Sequence, residues 1–197
     1  MSREIIEAVQ TKLSSIIYFD ESMYLRERTS DMNALLQYIA LLEPLYVRVD
    51  KDEQYKIASM LGYLYRVAGA DDSQQLTKAE QYYNECLTYA ITLQDVGKEI
   101  TTLVRLGEVY KYGRKYEKAC TCFYEAILKC VAEGYTKQLD FAHQHLGKCF
   151  MEMGMFEHAK SQLQRALNLR EKKGDESLIL STAKAIELLE KIERDVE

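Results

Sequence analysis

The chain alternates between apolar stripes at helical spacing and short polar breaks. In residues 103–110, Leu-Val-Arg-Leu-Gly-Glu-Val-Tyr, the positions Leu103, Leu106 and Tyr110 fall three and four apart, which sets them on one face of a helix. Tyr116, Ala119, Phe123 and Ala126 resume that spacing after a break. Applied along the chain, the pattern predicts helices near 3–27, 31–48, 52–69, 75–95, 97–113, 116–133, 137–154, 156–172 and 176–195. Polar, glycine-bearing breaks such as 95–98, 133–136 and 173–176 supply the turns. Pro44, the single proline, should kink or shorten the second helix because it has no amide proton to donate. The last segment carries Ala183, Ile186 and Leu189 on one stripe and ends in charged residues. It is expected to cap whatever precedes it.

These helices repeat in pairs. Leu106-Gly107, Tyr110, Ala119, Phe123 and Ala126 recur as Leu146-Gly147, Phe150, Ala159, Leu163 and Ala166, each 40 residues further on. An earlier copy holds Leu61-Gly62, Tyr65, Ala79, Tyr83 and Cys86. Its alanine keeps the 40-residue offset (79 to 119), but its glycine lies 45 residues from the next (62 to 107), so five extra residues separate its two helices. The polar stretch 69–75 is where they are expected. A degenerate fourth copy is read in 1–50, with Ala34, Tyr38 and Leu41 on its second helix and Ser22 in place of the glycine. Small residues at two positions of each hairpin let its helices approach closely, and large ones fill the space opposite. One such hairpin cannot bury its own apolar face, so hairpins must stack.

This pattern resembles the tetratricopeptide repeat family, in the long form of about 40 residues found in kinesin light chains and in bacterial regulatory and peptide-sensing proteins. The resemblance implies an all-α, right-handed solenoid of stacked antiparallel helix hairpins, about nine helices in one domain over 1–197. Its units would be a degenerate N-terminal hairpin (1–50), three repeat hairpins (52–95, 97–134 and 137–172) and a capping helix (176–195). In that family the first helix of each hairpin lines a concave face. Carried onto this chain, the partner-binding wall would hold Tyr63 and Arg66, then Arg105, Glu108, Lys111 and Tyr112, then Gln144, Lys148, Met151 and Glu152. Aromatic and basic residues of this kind suit a protein or peptide partner. The lysine–asparagine clamp with which some relatives hold a carboxyl terminus has no counterpart, since Ser59, Tyr63, Val104 and Glu108 occupy its positions.

Composition narrows the function classes. Hydrophobic residues make up 47% and charged residues 29% of 197, the profile of a globular chain. A net charge of −5 with the signs interspersed disfavours nucleic acid. Apolar runs are too short to span a membrane. The N-terminus carries no apolar signal core, and five cysteines without scaffold spacing suggest a reducing, cytoplasmic compartment. No phosphate-binding glycine loop or hydrolase signature occurs, so no catalytic residue, metal or cofactor is assigned. Cys120 and Cys122 lie two apart on a helix and point away from one another, which makes them poor joint ligands. His145 and Cys149, four apart, could meet as a base and a thiol, but with no orienting group they read as incidental neighbours.

The expected function is a protein- or peptide-binding adaptor or regulatory module and not an enzyme. Three alternatives remain open from sequence. They are a receptor for a short signalling peptide, a regulatory phosphatase, and a structural protein that self-associates into a homo-oligomer.

Overall fold

A computed structural model describes residues 2–196. The chain runs through α1 (Ser2–Leu13), a β-hairpin of β1 (Ile17–Asp20) and β2 (Arg26–Thr29) bridged by a 3-10 turn (Glu21–Met23), then α2 (Met32–Tyr46) and α3 (Lys51–Ala68). There follow α4 (Ser73–Thr92), α5 (Val96–Tyr112), α6 (Tyr116–Ala132), α7 (Thr136–Glu152), α8 (Phe156–Lys173) and α9 (Glu176–Val196). Consecutive helices pack on one another, and α3, α5 and α7 also touch each other directly. The first helices of the hairpins thus form one layer, the inner wall of an α-solenoid.

The packing follows from the repeated small residues. A methyl group built on Gly62 would lie 2.8 Å from the Tyr83 ring, and one on Gly147 would lie 2.8 Å from Leu163. At Gly107 the Phe123 ring is closer still. Ala79, Ala119 and Ala159, the other small position, are fully buried. Each hairpin is therefore closed by a large side chain of its second helix pressed against bare backbone of its first, a contact that any side chain at the glycine would push apart.

The final hairpin departs from its neighbours where the stack ends. Ile100 and Cys130 are buried against the same core in the preceding hairpin. The residues 40 further on are Asp140 and Arg170, both buried, with the arginine Nε 2.9 Å from the carboxylate. Arg170 also donates to the Leu178 carbonyl at 3.1 Å and to the Thr182 hydroxyl at 2.7 Å. An apolar pair has become an ion pair that fastens α9 to the stack. The buried stripe of α9 is Thr182, Ala185 and Leu189, with Ile186 packed beside it; of the expected stripe Leu189 and Ile186 face the core and Ala183 is exposed.

The N-terminal fifty residues differ most from expectation. The helix expected over 3–27 stops at Leu13, after which Ser14 and Ser15 turn the chain into β1, whose register pairs Ile17 with Thr29 and Asp20 with Arg26. Asp20 caps the 3-10 turn by accepting from the Ser22 amide at 3.0 Å. Tyr24 and Leu25 then adopt left-handed backbone, φ 56° and 58°, a conformation that costs non-glycine residues about 1–2 kcal/mol each. The serine standing in for the motif glycine thus lies in a β-turn region and not at a helix crossing. In α2 the buried stripe is Leu35, Ile39 and Leu42, one residue from the expected Ala34, Tyr38 and Leu41. Pro44 sits in the last turn of α2, which ends two residues later at Tyr46.

The five extra residues of the first copy also behave differently. The break between α3 and α4 is short, because Ser73–Gln75 forms the first turn of α4, capped by Asp72 accepting from the Gln74 amide at 2.8 Å. The insertion lengthens helices as well as the loop.

Two expected outcomes test this packing. Gly107→Ala should destabilise the chain by about 1–3 kcal/mol, as overpacking does, in a urea melt followed by circular dichroism. Arg170→Met should cost about 2–3 kcal/mol by leaving the buried Asp140 carboxylate to the Lys173 ammonium and by removing the bonds to Leu178 and Thr182, and hydrogen exchange should find α9 opening before α7 and α8.

Candidate functional site

The inner wall presents ionisable residues because a repeat needs only one apolar face of each first helix to close its hairpin. The flanking positions of α3, α5 and α7 are free to carry other chemistry. Arg66 on α3, Glu108 and Lys111 on α5, and His145, Lys148 and Glu152 on α7 meet there. Glu108 lies at the centre, with its carboxylate 2.8 Å from the Lys111 ammonium, 2.9 Å from His145 Nδ1 and 3.8 Å from Arg66. Burial works to raise the Glu108 carboxyl, but His145, Lys111 and Arg66 outweigh it and hold it well below the usual carboxylate range. Burial lowers the His145 imidazole, against the pull of Glu108, whose carboxylate lies 2.9 Å from its Nδ1.

The wall is not bare. The β-hairpin lies across it and sends Leu25, Arg26 and Glu27 into the ionisable cluster. Arg26, 4% exposed, donates from Nε to Glu152 at 3.0 Å and pairs with the same carboxylate through Nη2. Its Nη1 and Nη2 donate to the carbonyls of Tyr112 at 3.2 Å and Lys111 at 3.0 Å. Those carbonyls belong to the last turn of α5, where the dipole favours a cation; the Lys111 carbonyl accepts from the Arg114 amide as well. The guanidinium also sits 4.9 Å from the Tyr112 ring centroid.

Glu27 is held equally fully. Its carboxylate pairs with Arg66 and accepts from the Tyr63 hydroxyl at 3.0 Å. Its amide donates to the Tyr112 hydroxyl at 2.6 Å, and that hydroxyl donates back to its carbonyl at 3.1 Å. Burial pushes Tyr112 up to about 12, so the phenol keeps the proton this clasp needs. Lys148 donates to the Leu25 carbonyl at 2.6 Å, and the Leu25 side chain joins the core. Outside the cluster, Arg28 meets Asp71 of the inserted loop at 2.7 Å, and Glu21 meets Lys184 of α9 at 2.8 Å.

The ten wall residues expected from sequence therefore divide. Tyr63, Arg66, Lys111, Tyr112, Lys148 and Glu152 contact the hairpin directly. Glu108 supports them from behind. Met151 is core, 1% exposed, because its position on α7 turns it into the stack. Gln144 is buried beside a cavity of about 240 Å³ between the hairpin and α9. Arg105 stands apart. It pairs with the Ser59 hydroxyl and lines a cavity of about 940 Å³, open to solvent, that runs between Leu13, Phe19 and Glu27 on one side and Tyr55 and Ser59 on the other. The expectation of an exposed wall is thus corrected: its centre and C-terminal part are covered by the chain's own hairpin, and its N-terminal part is open.

Sequence reasoning missed Leu25, Arg26 and Glu27 and the central role of His145. The one local signal for the hairpin is the break at Ser14-Ser15 before the β-branched and aromatic run Ile16-Ile17-Tyr18-Phe19, which periodicity alone does not separate from a helix turn. The thiols form no reactive centre with that histidine. Cys149 is fully buried with its sulfur 3.8 Å from that of Cys120, and the hydrogen bond to Cys120 together with burial pushes the Cys149 thiol up, while the imidazole faces Glu108. Cys120 packs against the C-terminal core and Cys122 against the N-terminal one, so they share no site. No cluster of metal-ligating residues occurs among the described residues.

Lys148 offers a pH test. Burial, with the Lys111 ammonium second, lowers it to about 8. The unfolded chain holds this proton up to its ordinary value of 10.5, so stability should rise with pH between 8 and 10.5, by about 2 kcal/mol from pH 8 to 9.5 for this group alone. Urea melts of wild type and Lys148→Met should reveal it as a stability difference that moves in favour of wild type over that window.

Comparison with known proteins agrees with this architecture. A family model described as tetratricopeptide repeat matches residues 142–173. No curated protein sequence matches the chain. Among solved structures, the apo form of RapI superposes with a TM-score of 0.65 at 15% identity, covering 84% of this chain and 59% of that one. This chain therefore spans less than two thirds of RapI. A putative kinesin light chain with TPR-like repeats from Podosopora anserina gives 0.65 at 9% identity, over 98% of this chain and 87% of that one. BtubC (BKLC) from P. vanneervenii gives 0.59 at 19%, over 82% and 70%. At these identities the likeness is one of fold. Among the described residues no helix is long and apolar enough to cross a membrane. The chain therefore has the α-solenoid fold of these TPR-like proteins, and its residues 142–173 match a tetratricopeptide repeat.

Proposed function

We propose that the chain is an adaptor or regulatory module that holds a segment of another protein along its inner wall, in a reducing compartment such as the cytoplasm. The repeat fold supports protein binding in general. The observation that carries the finer reading is the way the wall already treats a strand. It grips main-chain groups through Tyr112 and Lys148 and side chains through Glu152 and Arg66. A wall that binds an extended segment at both levels has the chemistry of peptide recognition. The open cavity beside it, with Arg105 and Tyr55 exposed to an arriving chain, gives a partner its first foothold.

The compartment reading rests on the five free cysteines, three of them buried in the cores.

Affinity capture from source cells tests the site. Arg105→Glu should abolish capture of a stoichiometric protein with helicity unchanged. Leu128→Glu, at an outer α6 position that is 69% exposed, should not affect it. The reverse result, loss with the α6 change alone, would move the partner to the outer face and overturn the inner-wall reading.

A further inference from the structure

We infer that the hairpin is an internal ligand, and that the partner segment is an extended stretch in which an aliphatic residue, an arginine and a glutamate follow one another and take the places of Leu25, Arg26 and Glu27. This deepens the adaptor reading and rests on it. The ordering of the wall dictates the motif. Lys148 takes the carbonyl of the first residue, and the core takes its side chain. Glu152 and the two end carbonyls of α5 take the cation. Arg66 and Tyr63 take the anion, whose own amide and carbonyl both meet the Tyr112 hydroxyl. A reversed pair would set a guanidinium against Arg66 and a carboxylate against Glu152.

The hairpin is built to be displaced. Its strands are four residues each, and an isolated two-stranded hairpin is marginal in water. Tyr18 and Phe19 are half exposed and anchor little. The turn holds Tyr24 and Leu25 in left-handed backbone, and a ligand without a turn sheds the strain at Tyr24 and carries it only at the residue that replaces Leu25. Detaching it leaves α1 in place, since Val9 and Leu13 belong to the N-terminal core. While docked, the hairpin lowers the apparent affinity for any outside segment in proportion to the fraction of time the wall is covered. A segment landing in the open cavity meets Glu27 at its edge, and can replace it progressively from there.

The probe is a labelled synthetic peptide copying residues 22–30. The full-length double variant Arg26→Ala/Glu27→Ala, whose hairpin lacks both side chains, should bind this peptide at least about ten-fold more tightly than wild type, and a peptide with the Arg–Glu order reversed should not bind. Equal binding to both proteins, or binding of the reversed peptide as tightly, would overturn the proposal. Hydrogen exchange on wild type keeps it testable if the double variant does not fold. The Leu25 and Glu27 amides should exchange through local opening, well before those of α5 and α7. Exchange of these amides only with global unfolding would make the hairpin a permanent strut. The peptide readout is independent of the Arg105→Glu capture, so a failed partner search and a failed motif are distinguishable.

Discussion

Everything in the molecule depends on how closely two helices of a hairpin can approach. Tyr83, Phe123 and Leu163 each press on the bare backbone of a glycine, and a buried alanine stands one turn before each on the second helix. That contact fixes the hairpin's angle, and the repeat of the contact fixes the stack. It also confines the apolar requirement to one stripe of each first helix. The other flank of α3, α5 and α7 is released from packing and can hold arginine, glutamate, lysine and histidine without costing the solenoid its closure.

The consequence is an inner wall whose charges are themselves buried once anything lies on it. Lys111 is fully buried and Glu108 nearly so. Charges in such a position require partners, because desolvation alone is costly. The six-member cluster on the helices meets part of that need by itself, through Glu108 between Lys111, His145 and Arg66. Glu152 and the far side of Arg66 are completed by Arg26 and Glu27. The hairpin is thus the other half of a charge pattern.

The repeats were legible in the sequence for the same reason that they stack: glycine and alanine at fixed offsets admit few substitutes, so the 40-residue period survives in plain view. Breaks between helices were legible where glycine or aspartate ends a periodic run. The hairpin was not. Residues 16–19 are apolar for four positions, which fits a strand and a helix turn equally, and a helical reading of 3–27 absorbed them. The expected wall positions lie on α3, α5 and α7, but whether they face solvent depends on a contact 85 to 126 residues away in sequence, as from Arg26 to Lys111 and Glu152, and no local pattern encodes it. The register slipped by one residue in α2, and Ala183 was misplaced in α9, because the other flanks carry Leu36, Leu41 and Leu180 exposed, blurring the apolar stripe.

The charge pattern also limits what can lie on this wall. On the helices, Arg66, Lys111 and Lys148 face Glu108 and Glu152, with His145 neutral. The hairpin adds one cation and one anion and leaves that balance unchanged. A purely acidic segment would match Arg66 and Lys148 but leave Glu152 facing a carboxylate, and a purely basic one would set Arg66 against a cation. Either would bury a like-charged contact. An occupant with both signs, a cation toward the end of α7 and an anion toward α3, satisfies the wall without stranding a charge. The electrostatic demand of this surface is thus for two opposite charges in a fixed order along a strand, with the main-chain contacts of Tyr112 and Lys148 setting its register in the docked hairpin.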